Sequence, residues 1–221
     1  MEQLKCLLNQ ASTEEITALA TILSASPNIN SIVEQLSWNS QDFLESLYCF
    51  AFSHQPSYKE IVQQVAGKLN VQYRNYDSTE EIEIQIAQKV METVWEQMTP
   101  VQRQEMEAQL RATAAQFNKG GELLSSVSVF GSLMAARLSG FGIYLLASTT
   151  LGAVTGVLGL TLPFVVYTTM SSAIAVIIGP VGWVGAGLFA IWKVTGPNYQ
   201  KLIPAVLYIC ALRARLNGSF A

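Results

Sequence analysis

Apolar residues recur along the first 100 positions at the three- and four-residue spacing of one helix face. After Ser12 the set is Ile16, Leu19, Ala20, Ile22 and Leu23; after Ser57 it is Ile61, Val62, Val65 and Leu69. After Ser78, Ile82, Ile86, Val90 and Val94 repeat every four residues, and a middle stripe of Phe43, Leu44, Leu47, Phe50 and Ala51 predicts a helix from about Ser40. Each such face must be covered by another element, so the pattern predicts a bundle of amphipathic helices.

The helix starts are written in side-chain chemistry. Ser12 with Glu15, Ser57 with Glu60 and Ser78 with Glu81 have the spacing of reciprocal caps, in which a hydroxyl accepts from a free backbone N–H and the acid reaches back. Thr99 with Pro100 and Gln102 adds a proline at the first helical position, where its missing N–H costs nothing. Pro27 and Pro56 mark breaks, residues 70–77 read as a linker, and Gly120 and Gly121 end the helix begun at Pro100.

Beyond that glycine pair the pattern changes. Thirteen of the 15 glycines lie between Gly120 and Gly196, and residues 138–192 hold no charged side chain. Helix candidates are 141–162, ended by Pro163, and 164–178, ended by Gly179 and Pro180, followed by a shorter apolar piece at 181–194 and a last helix at 199–216. The fold class that follows is all-α: an N-terminal bundle of amphipathic helices, then a glycine-rich apolar helical hairpin and a C-terminal helix. The expected division is an acidic domain at 1–119 and an apolar one at 120–221, with a candidate membrane hairpin at 138–192.

Charge sharpens that division. All 16 Asp and Glu lie at or before Glu122, with 8 Lys and Arg; after it there are no acids and 5 bases, Arg137, Lys193, Lys201, Arg213 and Arg215. A base-only second half can face anionic lipid or its own acidic partner half. These five bases are therefore candidate lipid-headgroup contacts, and for Arg213 and Arg215 the negative end of their own helix is an equal alternative. A pI near 5.2 and the lack of a basic cluster exclude nucleic acid as an expected partner.

The apolar run admits two readings. Its 55 residues suffice for two crossings of ~20 residues each, and Arg137 and Lys193 would then sit on one face of the bilayer. Gly152, Gly156 and Gly159 lie on one side of the first arm and form a small-residue groove for a second helix. Against permanent spanning, the second arm is short and both arms are diluted by Ser148, Thr149, Thr150, Thr155, Thr161, Thr168, Thr169, Ser171 and Ser172. An intermediate arrangement shelters the hairpin under the amphipathic helices until they open.

Catalytic, cofactor and metal sites are not expected. His54 is the one histidine, with no second His or nearby Cys, and the glycines from Gly179 to Gly187 match neither phosphate-loop spacing. Glu80, Glu81 and Glu83 fall in the first turn of a capped helix, where negative charge meets the positive dipole end. Cys6, Cys49 and Cys210 each sit among apolar residues and read as buried free thiols of a reducing compartment. The N-terminal stretch lacks the basic, apolar and small-residue segments of a secretory leader.

The C-terminal third carries a resemblance. Gly179-Pro180-Val-Gly182-Trp183, then Gly196-Pro197-x-Tyr199 and Leu202-Ile-Pro204-Ala-Val-Leu-Tyr-Ile-Cys-Ala-Leu-Arg213 resemble the YaaW-like family of bacterial proteins, best over 176–216, with a weaker likeness at 94–98. The resemblance implies a helical bacterial protein and supplies neither an activity nor a site. Together these features lead to the expectation of a non-enzymatic, membrane-associated bacterial protein. Its hairpin would anchor or form pores at the cytoplasmic face of the inner membrane, or insert conditionally from the cytoplasm. An unknown protein partner would bind the acidic domain, and homo-oligomers would pair through the small-residue faces. The alternative is a soluble helical interaction or chaperone-like module with the hairpin as buried core.

Overall fold

A computed structural model of the chain describes residues 1–41, 55–116, 128–135, 138–158 and 198–218. Among these residues every regular element is a helix: α1 (Glu2–Leu8), α2 (Thr13–Leu23), α3 (Ile29–Ser40), α4 (Tyr58–Lys68), α5 (Thr79–Gln97), α6 (Pro100–Gln116), α7 (Val129–Leu133), α8 (Gly140–Leu158) and α9 (Tyr199–Gly218). The all-helical class holds. The expected helix after Ser40 and the second hairpin arm at 164–178 lie outside the described residues, as does the apolar piece at 181–194.

The caps form as their spacing dictates. Ser12, Ser57 and Ser78 each accept from the backbone N–H three residues on, at 3.2–3.3 Å, while Glu15, Glu60 and Glu81 accept from the cap N–H at 2.6–2.8 Å. Thr99 N–H donates to the Gln102 side-chain oxygen at 2.7 Å. Two helices end on a left-handed residue that is not glycine, Ser24 and Asn70, each at φ 55°. The following N–H groups, of Ala25 and Val71, then reach back to Ala20 and Ala66 carbonyls at 2.8 and 2.9 Å, closing the last turns.

The arrangement turns on α9. Residues Leu202 to Leu212 are all buried, so this helix has no solvent face over three turns and must be surrounded. It packs against α2, α3, α4, α5 and most extensively α8, which also lies on α5. The buried residues of both halves of the chain merge into one hydrophobic cluster. Pro204 removes one intrahelical bond, and the carbonyl it would have used belongs to exposed Gln200, where water can satisfy it.

Polar contacts register the start of α9: Asn198 N–H donates to the Asn39 carbonyl at 2.8 Å and the Lys201 ammonium to the Leu23 carbonyl at 3.3 Å. The Gln64 amide spans from α4 to the Ser40 carbonyl at 2.9 Å, tying the end of α3 to the middle of α4. Short α1 contributes Leu4, Leu7 and Leu8 to the core. Cys6 falls on its opposite face and is exposed, correcting the expectation of a buried thiol; Cys210 is buried, and Cys49 lies outside the described residues.

Gly67 sits in the last turn of α4 with open space where a Cβ would project. Gly67→Ala is expected to raise stability by about 0.5–1 kcal/mol, because alanine restricts the unfolded chain without meeting a neighbour. A urea titration with an unchanged slope and a higher midpoint is the checking result; a lower midpoint refutes it.

Candidate functional site

The polar groups buried at the end of α9 draw the two halves together. Glu83 lies on the α5 stripe with Ile86, Ala87 and Val90 and is 0% exposed. Its carboxylate accepts from the Tyr58 hydroxyl of α4 at 2.8 Å, and from Arg213 of α9 through Nε at 3.1 Å and Nη2 at 3.2 Å. The remaining Arg213 nitrogen lies 3.4 Å from Glu80. Thus both carboxylate oxygens are engaged and the guanidinium is held in a two-pronged pair.

Burial governs the electrostatics here. Loss of hydration lifts the Glu83 carboxyl above its ordinary value of 4.5, outweighing the attraction and hydrogen bonds of Arg213. The same burial, with Glu83 beside them, pushes the Tyr58 hydroxyl and the Cys210 thiol well up, so both remain protonated. A protonated thiol is a poor nucleophile, and the cluster is suited to holding helices rather than to attack on a substrate.

Beside it, a cleft of about 120 Å³ opens between α5, α8 and α9, walled by Ile84, Ile143, Ala214 and Cys210, with Glu80 and Arg213 among its polar groups. On the other side of α9, Arg215 Nη2 donates to Glu15 Oε2 at 2.7 Å. Arg215 Nε lies 2.7 Å from Oε1 without a directed hydrogen bond, so this second contact is electrostatic. Glu15 therefore both caps α2 and binds α9, and its backbone carbonyl accepts from the Tyr208 hydroxyl at 3.0 Å. Burial raises the hydroxyl pKa of Tyr208, and raises that of Tyr144 to about 12.

A third constellation lies between α6 and α7. Glu107 accepts from the Ser128 hydroxyl at 3.2 Å, from the Phe130 N–H at 3.1 Å and from the Val129 N–H, capping α7 from another helix. Trp95 and Phe130 stack with centroids 3.8 Å apart, and the Arg103 guanidinium lies over Trp95 while donating to its carbonyl at 2.9 Å. An open cleft of about 480 Å³ runs along Trp95, Arg103, Glu107 and Arg111.

Of the residues singled out in the sequence, Arg213 and Arg215 meet acids of the first half, and Lys201 meets a backbone carbonyl of it. Tyr199 lies under the Lys68 ammonium at 5.3 Å, and Pro204 is buried in α9. Gly152 is buried in α8, and Gly156 is in the same helix. Arg137, Gly159, Gly179, Pro180, Gly182, Trp183, Lys193, Gly196 and Pro197 lie outside the described residues, as does His54. Among the described residues no group of three or more His, Cys, Asp or Glu could hold a metal ion.

Glu83 and Glu15 are the residues the sequence reading missed as partners. Placing Glu80, Glu81 and Glu83 together in the first turn of a capped helix, facing its positive dipole end, holds for Glu80 and Glu81 and fails for Glu83, which lies beyond that turn and is buried. The available signal was its register: Glu83 is three, four and seven residues before Ile86, Ala87 and Val90, within the apolar stripe.

Comparison with known proteins finds similarity to a UPF0174 protein of Helicobacter pylori strain J99, 30% identical over 159 residues, which are 72% of this chain and 61% of that protein. A UPF0174 protein of strain 26695 is 28% identical over 163 residues, 73% of this chain and 77% of that protein. The match thus spans about three fifths of the length of the J99 protein. No family model matches the chain, and no solved structure does. An all-helical chain whose similarity runs through roughly three quarters of its length to these proteins has its relatives in an uncharacterised bacterial group, the UPF0174 proteins.

Proposed function

We propose that the chain is a non-enzymatic helical interaction module of a bacterium, in which the apolar helix α8 serves as buried core while the acidic first half binds a protein partner. The observation that carries this reading is the sheathing of α8. From Phe141 to Thr155 every residue is buried except Ile143 and Ala153, which are half-buried. The hydroxyls of Ser148, Thr150 and Thr155 are turned onto carbonyls of their own helix at 3.2, 2.7 and 2.9 Å, which hides their polarity inside the core. Among the described residues, no helix is long and apolar enough to cross a membrane.

Exposed acids stand on several helices of the first half, Glu14, Glu34, Glu96 and Glu105 among them, so the charge of this half favours a basic protein segment as partner. We further infer kinship with the YaaW-like family, on the resemblance of residues 176–216 to its pattern.

A second reading is favoured by the absence of charge from 138 to 192: α8 leaves its sheath and the hairpin enters the bilayer, as an anchor or a pore, from the cytoplasmic side. Sedimentation with anionic liposomes at pH 7 and pH 5, together with dye release, separates the two. The interaction module remains in the supernatant and releases no dye. Co-sedimentation without release replaces it by an anchor, and release replaces it by a pore-former.

A further inference from the structure

Arg213 and Arg215 are two positions apart on α9, and two positions on an α-helix are about 200° apart around the axis. They accordingly reach opposite sides, one to Glu83 and Glu80 of α5, the other to Glu15 of α2. These pairs join positions 130 and 200 residues apart in sequence. The other end of α9 is registered by Asn198 and Lys201, which contact backbone carbonyls and, among the described residues, make no ion pair.

Beneath the arginine end lies the beginning of α8. Gly140 and Ile143 share the 120 Å³ cleft with Arg213, Ala214 and Asn217, so α8 runs antiparallel to α9 and its first turn borders an unfilled space beside the arginine end. A cleft at that point forfeits dispersion contacts that the rest of the interface makes. Between Gly140 and Leu158, α8 has no charged side chain of its own with which to grip a neighbour.

We propose that Arg213 and Arg215 form a two-sided latch, which holds the last turns of α9 over the start of α8 and whose release uncovers α8 while the remaining bundle stays folded. Release opens the cover where this cleft already separates the two helices. α3 contacts α2 and α4 directly, whereas Arg213 reaches α4 through the Glu83 carboxylate it shares with Tyr58. The latch concerns the resting fold and is independent of which partner the module takes.

Native-state hydrogen exchange, read by mass spectrometry on the full chain, tests it. In the Arg213→Gln, Arg215→Gln double variant, exchange at amides of 140–155 and 206–218 is expected to rise by a factor at least about ten times larger than the rise in α3, which reports the loss of global stability. A rise of similar size in every helix makes the arginines general contributors to stability and overturns the latch, as does no rise at all. If the double variant does not fold, Arg215→Gln alone serves, since it leaves Glu83 paired and Glu15 in its cap. It should accelerate exchange at 140–155 selectively, and wild-type rates there reject the proposal. Arg215→Lys, which retains the charge, should restore part of the protection.

Discussion

Arg213→Met is expected to cost about 3–5 kcal/mol of stability at neutral pH, because it strands a fully buried carboxylate that the guanidinium had compensated. The Tyr58 hydroxyl would still donate to Glu83, but one neutral hydrogen bond does not offset the burial of a charge. The sign of the pH dependence follows from burial. Glu83 already titrates above its ordinary 4.5 in the folded protein, and losing its cation raises it further. An acid whose folded value is raised binds its proton more readily in the folded than in the unfolded state. Stability therefore recovers as the pH falls through the raised value, and the recovery is complete below about 4.5.

Urea unfolding of wild type and variant at pH 7.5 and pH 5 should thus show a gap that narrows on acidification. A gap of constant size would mean that Glu83 does not hold the charge assigned to it. The companion variant is Glu83→Leu with Arg213→Met, which removes both charges and leaves apolar groups of similar bulk. It should lie much closer to wild type than Arg213→Met alone, since the destabilising element is the orphaned ion rather than the loss of attraction.

Phe141→Ala is the second large effect, about 3–5 kcal/mol, from the transfer energy of the ring together with the cavity it leaves. Phe141 opens the sheathed stretch of α8 and is 2% exposed. Thermal or urea unfolding measures the loss; a cost below about 1 kcal/mol would show that this end of α8 is not packed as described. In contrast to the Arg213 variant, the deficit should be the same at pH 7.5 and pH 5, because no ionisable group is stranded by removing the ring.

The helix starts were legible because their determinants are local. A serine, two intervening residues and a glutamate suffice to specify a cap, and Ser12, Ser57 and Ser78 form theirs without help from distant parts of the chain. The α5 stripe was equally plain. What sequence patterns conceal is partnership: α3 and α1, unmarked by an acidic capping box, were not singled out, although α3 is built on Ile32, Val33 and Leu36 and capped by Asn28. The central place of α9 was hidden for a different reason. A run such as Leu202–Leu212 is apolar on every side, so periodicity has no direction to report, and only the encircling helices show that it is core.

The candidate site was half legible. The absence of acids after Glu122 meant that any buried base there would need an acid from the first half, and that pairing is what Arg213 and Arg215 make. Which acids they take could not be read, because Glu15 doubles as an ordinary capping residue and Glu83 adjoins two solvent-facing glutamates.

The helix that completes the core is also the last of the described helices to be made. While a ribosome works from Gln116 to Gly218, the stripes of α2, α3, α4 and α5 wait for the surface that will cover them, an interval on the order of 5–20 s at ordinary elongation rates. Nascent chains halted in that interval should be strong chaperone clients and prone to aggregate. Their rescue should come from supplying α9 in time, more than from any improvement in the helices already made.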